Sequence, residues 1–218
     1  MYRRLASALD ERGSGRHRER LVAGLAGTVV EVGAGTGLTF PRYHPPVTRV
    51  EAIEPEPSLR ADATIAARDA HVDIRVHPGV AESLPLPDAS ADAAVSSLVL
   101  CSVTDVDTAL SELARVVRPG GALRLYEHVR APTPLLAFVQ ARVDPVWSRV
   151  AGGCHTARDP LAAAQEAGFA LDRVHRFRVP PIGPTLPPSP HVLVEATRVA
   201  AAHPTPRPTA AGTPATDA

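Results

Sequence analysis

The chain contains neither lysine nor asparagine. Its 23 basic residues are therefore all arginine, and it offers no site for Asn-linked glycosylation. The arginines are matched by 23 Asp and Glu, for a formal net charge of zero. Proteins that hold nucleic acid through its phosphates carry a basic surplus, so no nucleic-acid partner is expected. Cysteine is scarce, with only Cys101 and Cys154. Two thiols so far apart in sequence give no disulfide framework and only thin support for a soft metal or arsenite site. They read as reduced thiols of a cytoplasmic protein, and no metal is expected. Long apolar runs are missing as well. Nothing approaches the ~18 residues of a membrane span. The polar, Arg-rich stretch Met1 to Arg20 lacks the apolar centre of a signal peptide. The expectation is a cytoplasmic protein without stable membrane insertion.

What is present suits one buried core and a short tail: 218 residues, 44% of them hydrophobic. Residues 1–26 read as a helical segment broken at Gly13-Ser14-Gly15, with Leu21, Val22 and Leu25 on its packing face. Residues 27–198 read as the main domain. Residues 199–218, mostly Ala, Pro and Thr, read as a disordered tail. Within the domain, strand and helix patterns alternate. Strands are expected at Thr28 to Val32, Val47 to Ile53, His71 to Val76, Asp92 to Leu100 and Ala122 to Val129. Helices are expected at Pro57 to Ala70 and from an N-cap at Thr104 to about Val117, ended by Arg118-Pro119-Gly120-Gly121. An amphipathic stretch follows Pro134. Then come a helix at Asp159 to Ala167 and two final strands, Phe169 to Arg178 and His191 to Thr197, on either side of a Pro-rich loop. Such repetition argues for an α/β fold with a doubly wound parallel sheet.

The segment Val29-Val30-Glu31-Val32-Gly33-Ala34-Gly35-Thr36-Gly37 carries the chemistry. A strand runs into a Gly-x-Gly-x-Gly turn, where the backbone can bend sharply and approach a ligand. The third glycine comes one residue earlier than in the dinucleotide fingerprint, and Glu31 disfavours a pyrophosphate. Both features speak against a nicotinamide oxidoreductase. Glu54, followed by Pro55 at the carboxyl end of the second strand, stands about 20 residues on, where a carboxylate takes both ribose hydroxyls.

These segments, with Ala81-Glu82-x-Leu84-Pro85 and Leu113 to Gly121, resemble the successive motifs of class I S-adenosylmethionine-dependent methyltransferases. The resemblance implies a Rossmann-like, mostly parallel seven-stranded sheet, helices on both faces and an antiparallel last strand. It implies S-adenosylmethionine as cofactor. Glu31, Gly33, Ala34, Gly35 and Gly37 would lie at its methionine part, Glu54 and Pro55 at the ribose, and Val80, Ala81 and Glu82 beside the adenine. Ser97 and Leu98 would close over it. Where many relatives carry an acidic residue, this chain has Val80.

A narrower resemblance rests on Leu98 to Val103, Val117 to Gly121 and Glu127-His128-Val129, with Phe40-Pro41-Arg42-Tyr43, Asp144-Pro145-x-Trp147, Gly153-Cys154 and Pro190-His191. Together they are similar to the alkyl thiol branch of methyltransferase-like proteins, which implies a small, fairly apolar thiol acceptor. Gly152-Gly153-Cys154-His155 departs from that branch's Asp-Gly-Cys-Asn. An oxygen, nitrogen or carbon nucleophile in a quinone, lipid or secondary metabolite stays open, as does a catalytically silent cofactor-binding protein. Because thiolate is the nucleophile, a thiol acceptor must lose its proton. Histidine suits that task near neutral pH. His128, at the end of the fifth strand, is the first catalytic candidate and His155 the second, with Glu127 a potential orienter of His128. His191 reads as structural. Phe138, Val146 and Trp147 form a stripe read first as helix packing and second as acceptor-pocket lining. The insertion after the fifth strand, about 40 residues, is too short for a second domain, which favours a small-molecule acceptor. Oligomeric state and pathway are not legible.

Overall fold

The computed structural model describes residues 14–179 and 186–199. The beginning of the expected helical segment, the middle of the Pro-rich loop and the Ala/Pro/Thr-rich tail beyond Val199 lie outside the described residues.

Helix α1 (Gly15–Val22) leads into strands β1 (Gly27–Val32) and β2 (Val47–Ile53), helix α2 (Pro57–Ala66) and strands β3 (Asp73–His77) and β4 (Ala91–Ser97). Helix α3 (Val106–Val116), strand β5 (Val117–His128), helices α4 (Pro134–Val150) and α5 (Pro160–Glu166), and strands β6 (Phe169–Arg178) and β7 (Pro190–Arg198) complete the chain. The seven strands form one sheet in the order β3-β2-β1-β4-β5-β7-β6. β1 to β5 run parallel, while β7 pairs antiparallel with both β5 and β6. This is the sheet that the family resemblance implies, with the parallel part expected from the strand and helix pattern. The carboxyl ends of β1, β2, β4 and β5 share one edge, where open α/β sheets bind ligands.

Each face of the sheet carries its own core. One packs Val30, Val32, Leu123 and Leu125 against Leu110, Leu113, Leu161 and Phe169. The other packs Val29, Val50, Val95 and Tyr126 against Leu21, Leu25, Phe40 and Tyr43. Neighbours along one strand, such as Val29 and Val30, thus face opposite cores, as the period of two requires. Leu21, Val22 and Leu25 are buried as the sequence pattern predicts.

Several boundaries differ from expectation for definable reasons. The α3 cap is Asp105, not Thr104. Asp105 takes the extended conformation and accepts from the Asp107 and Thr108 amides, while the Thr104 amide donates to Glu82 at 2.7 Å. Arg118-Pro119-Gly120-Gly121 does not stand ahead of the fifth strand but sits as an insertion within it. Ala91 pairs with Val117 and Ala93 with Ala122, so pairing resumes past a bulge, with Arg118 held to Asp92 at 2.6 Å. The helix after Pro57 ends its α-helical part at Ala66 and tightens into a 3-10 turn. The stripe on α4 packs only in part, through Trp147, which is half-buried with its Nε1 enclosed. Leu135, Phe138, Val146 and Val150 are exposed, and the helix buries only Ala137 and Gln140.

Candidate functional site

The glycine turn follows β1 directly. Gly33, Gly35 and Gly37 all have positive φ, at 60°, 59° and 81°. A Cβ on Gly33 would stand 2.4 Å from a Val99 methyl, and one on Gly37 would stand 2.7 Å from the Phe40 ring. Both positions therefore demand glycine on conformational and steric grounds. Ala34 is buried, and its amide donates to the Ile53 carbonyl, which ties the turn to the end of β2.

Two carboxylates flank this turn, and both are buried. Glu54 accepts from the Gly35 amide at 2.8 Å through Oε2 and from the Glu56 amide at 3.0 Å through Oε1. Each of its oxygens keeps a further lone pair for a ligand hydroxyl. Arg60 donates to the carbonyls of Glu54 and Pro55, which fixes the end of β2. Glu31 accepts the Tyr43 hydroxyl at 2.9 Å. Burial pushes its pKa up to about 7, against the lowering effects of Tyr43, Thr39 and Arg18. A buried carboxyl in that state gains from a cationic ligand.

Beyond β3 and β4 lie the residues expected at the adenine and over the cofactor. Ala81 is buried, Val80 is exposed, and Glu82 uses Oε1 to accept the Thr104 and Asp105 amides. Ser97 ends β4 with a buried hydroxyl that has no hydrogen-bond partner among the described residues. Leu98 follows at φ 61°, a strained conformation for a non-glycine residue, held by its amide bond to the Tyr126 carbonyl at 2.7 Å. The two-carboxylate cradle, the close glycine turn and the unpartnered Ser97 hydroxyl fit S-adenosylmethionine, which has an ammonium, a ribose diol and polar edges to satisfy. Glu31 and the glycine turn would hold its amino-acid end, and Glu54 its ribose.

Across the sheet edge, the structure joins residues that are far apart in sequence. His128 ends β5, and its Nδ1 lies 3.5 Å from the sulfur of Cys154. Cys101 completes a cluster in which the two sulfurs and the imidazole nitrogen lie within 4.8 Å of one another. The sequence offers no metal-site spacing because the three ligands come from the loop after β4, the end of β5 and the segment after α4. Backbone bonds hold these parts together. The His155 amide donates to the Cys101 carbonyl at 2.6 Å, and Arg158 donates to the Leu100 and Val103 carbonyls. Asp144 accepts the His155 ring nitrogen and the Thr156 amide, each at 2.6 Å. The His155 imidazole is thus engaged with Asp144, while its backbone helps place Cys154. His191 pairs with His128 across β5 and β7, with ring centroids 4.4 Å apart.

Hydrogen bonding to Cys101, then to His128, lowers the Cys154 pKa to about 4 in spite of burial. The Cys101 thiol is pushed up by the same bond to Cys154 and by its own burial. Glu127, the residue before His128 in β5, is wholly buried, with Oε1 accepting from Ser96, Val99 and Leu100. Its other oxygen has no partner among the described residues, and burial raises its pKa. Glu127 therefore orders the loop after β4. Gln140 was not singled out by its sequence context, yet it is the buried hub here. Its amide oxygen accepts from Ala131, and its nitrogen donates to the Val129, Thr156 and Pro187 carbonyls. Beside it, a cavity of about 770 Å³ is lined by Val129, Leu136, Val139, Phe177 and His191 among others. Phe138 and Val146 are exposed and do not line this cavity.

A family model described as a methyltransferase domain matches residues 30–125. Thiol S-methyltransferase TMT1B of Homo sapiens is 34% identical over 184 residues, covering 81% of this chain and 74% of the relative. The rat protein of the same name is 34% identical over 175 residues, covering 78% and 70%. Among solved structures, the YcgJ protein of Bacillus subtilis superposes with a TM-score of 0.66 at 17% identity, covering 86% of this chain and 98% of that one. Geranyl diphosphate C-methyltransferase from Streptomyces coelicolor, solved with Mg2+, geranyl diphosphate and S-adenosyl-L-homocysteine, superposes with a TM-score of 0.65 at 19% identity. It covers 86% of this chain and 78% of its own.

Proposed function

The chain belongs to the S-adenosylmethionine-dependent methyltransferase family that includes the TMT1 thiol S-methyltransferases, and from that premise we propose that it methylates the sulfur of a small, fairly apolar thiol. It is a methyltransferase enzyme with S-adenosylmethionine as cofactor. The bound cofactor supplies an electrophilic methyl group on a sulfonium.

The observation that carries the thiol reading is the placement of His128 and Cys154 on the same sheet edge as the Glu31–Glu54 cradle. In the strand order β2-β1-β4-β5, only β4 separates the cradle from the end of β5. Gly33, Gly35 and Gly37 let the backbone approach the cofactor, Glu31 holds its amino-acid end and Glu54 its ribose, and Val80, Ala81 and Glu82 border its adenine. Ser97 and Leu98 close over it. His128 stands where a group that helps the acceptor ionise is needed. His155, paired with Asp144, positions the segment that bears Cys154 and screens the acceptor from water. The apolar cavity beside His191 suits the hydrocarbon part of the thiol. Holding donor and acceptor in line can supply up to ~7–11 kcal/mol of the rate enhancement.

No helix among the described residues is long and apolar enough to cross a membrane. We place the reaction in the cytoplasm, without nucleic acid. The two neighbouring cysteines, both free, support a reducing compartment. The test is transfer of labelled methyl to a panel of thiols, phenols, amines and quinols. Transfer to thiols alone is expected. Transfer to any other class and not to thiols refutes the acceptor.

A further inference from the structure

We propose that Cys101, His128 and Cys154 form a three-ligand site for a soft divalent cation of the zinc type, with the fourth position open to the acceptor sulfur. The cation site stands on its own geometry. The use of its fourth position rests on the thiol reading above.

The geometry is that of a zinc site waiting to contract slightly. Bond lengths of ~2.3 Å to sulfur and ~2.0 Å to nitrogen at a tetrahedral angle place sulfur and nitrogen ligands about 3.5 Å apart. Nδ1 of His128 and Sγ of Cys154 are 3.5 Å apart, and all three ligand atoms fall within 4.8 Å of one another. Two thiolates and a neutral imidazole are the soft donors that select zinc over magnesium or calcium. Two thiolates also neutralise a divalent ion inside a half-buried site, leaving no net charge to desolvate.

The ligands are held in advance. Cys101 and Cys154 are stitched together through the His155 amide on the Cys101 carbonyl and through Arg158 on Leu100 and Val103. His128 is braced against His191. Preorganisation of this kind is what a functional metal site requires. The burial is one-sided: Cys101 is buried, whereas His128 and Cys154 are only half-buried. Structural zinc sites close with four protein ligands, while catalytic ones supply three and keep one position open. Three protein ligands facing partly outward, at a methyl-transfer edge, match the second kind.

The cation would do what a base otherwise has to do. An entering thiol exchanges its proton for the metal: the S–H bond releases H⁺ to solvent, and the sulfur keeps the electron pair as a thiolate ligand. No oxidant or reductant is involved. Once methylated, the sulfur is a neutral thioether, a weaker ligand than thiolate, which favours release. On this reading His128 acts by holding the cation.

The test uses the full chain in the presence of a phosphine reductant. It is stripped with a chelator, then titrated with zinc sulfate against a chromophoric zinc chelator, and separately with cobalt(II) chloride. Wild type is expected to bind about one zinc per chain, and Cys154→Ser to weaken that binding by at least about a hundredfold. Cofactor affinity measured by calorimetry should be unchanged in the variant, which shows that it is folded. Cys101→Ser serves as the second variant. The cobalt form should show the intense bands of a tetrahedral, thiolate-ligated ion, and these should shift when a small alkyl thiol is added without methyl donor. Equal, weak zinc binding by wild type and Cys154→Ser overturns the site. A cobalt spectrum indifferent to the thiol overturns the open position. Full-rate thiol methylation by metal-free protein overturns the cation's role and leaves the thiol reading standing. Zinc binding without methylation of any thiol leaves the cation site standing and overturns the thiol reading, and with it the use of the fourth position.

Discussion

The two ends of the functional edge are built in opposite ways. On the β1–β2 side, Glu31, the glycine turn and Glu54 are close in sequence. Their geometry is set by short-range demands: positive φ at three glycines and a carboxylate anchored on the amides of Gly35 and Glu56. On the β5–β7 side, Cys101, His128, Asp144, Cys154 and His191 come from five separate segments. They meet because Gln140, Arg158 and the His155 amide draw those segments together. The first region is a motif, and the second is an assembly. A motif withstands change elsewhere in the chain, whereas an assembly depends on every segment that feeds it. Cofactor binding and acceptor chemistry should therefore be separable by mutation.

The sharpest break in that comparison is expected from His128→Ala. Turnover on thiols should fall by about 10²–10⁴-fold with cofactor affinity spared. Undiminished turnover across about pH 6–9 removes His128 from the mechanism, as base or as ligand. Gln140→Leu should be next. It leaves the Ala131 amide and three carbonyls without their buried partner, at a cost of about 2–4 kcal/mol in denaturant unfolding. Acceptor KM should rise while cofactor affinity holds. Equal losses of both affinities would show that the two regions are not separable.

Glu54→Ala probes the other region. Cofactor affinity should drop by roughly tenfold or more, because a charged partner to two hydroxyls is lost. Unchanged affinity in a folded variant rejects Glu54 as the ribose ligand. The smallest effect is a pH dependence at Glu31. Its folded-state pKa is raised to about 7 from an ordinary 4.5. Its contribution to stability is thus fully present below the ordinary value and is lost as pH rises through about 7. On the proposed placement, the cofactor's ammonium would reverse the preference by favouring the ionised carboxylate. Binding near pH 6 should therefore release up to about one proton, seen by calorimetry in buffers of different ionisation enthalpy. Glu31→Gln should abolish that release, and release that persists in the variant assigns the proton elsewhere.

The sequence by itself determined the sheet, the glycine turn and the two acidic residues of the cradle. Each is written in short-range code: apolar runs that must be strands, glycines where only glycine fits, and a carboxylate at a strand end. Its errors came where local code competes with distant pairing. Thr104 has a capping side chain, but Glu82 from another loop takes its amide, so the cap passes to Asp105. Arg118 to Gly121 carries turn chemistry, yet β4 pairs on both sides of it and absorbs it as a bulge. The apolar residues of α4 have helical spacing, but the burial of Gln140 sets the helix orientation and leaves Phe138 and Val146 outside. Only the tertiary structure decided that Cys101 and Cys154 are neighbours and that His128 stands between them and His191. No spacing rule links residues brought together by strand order and long-range hydrogen bonds, because sequence distance says nothing about which loops share a sheet edge.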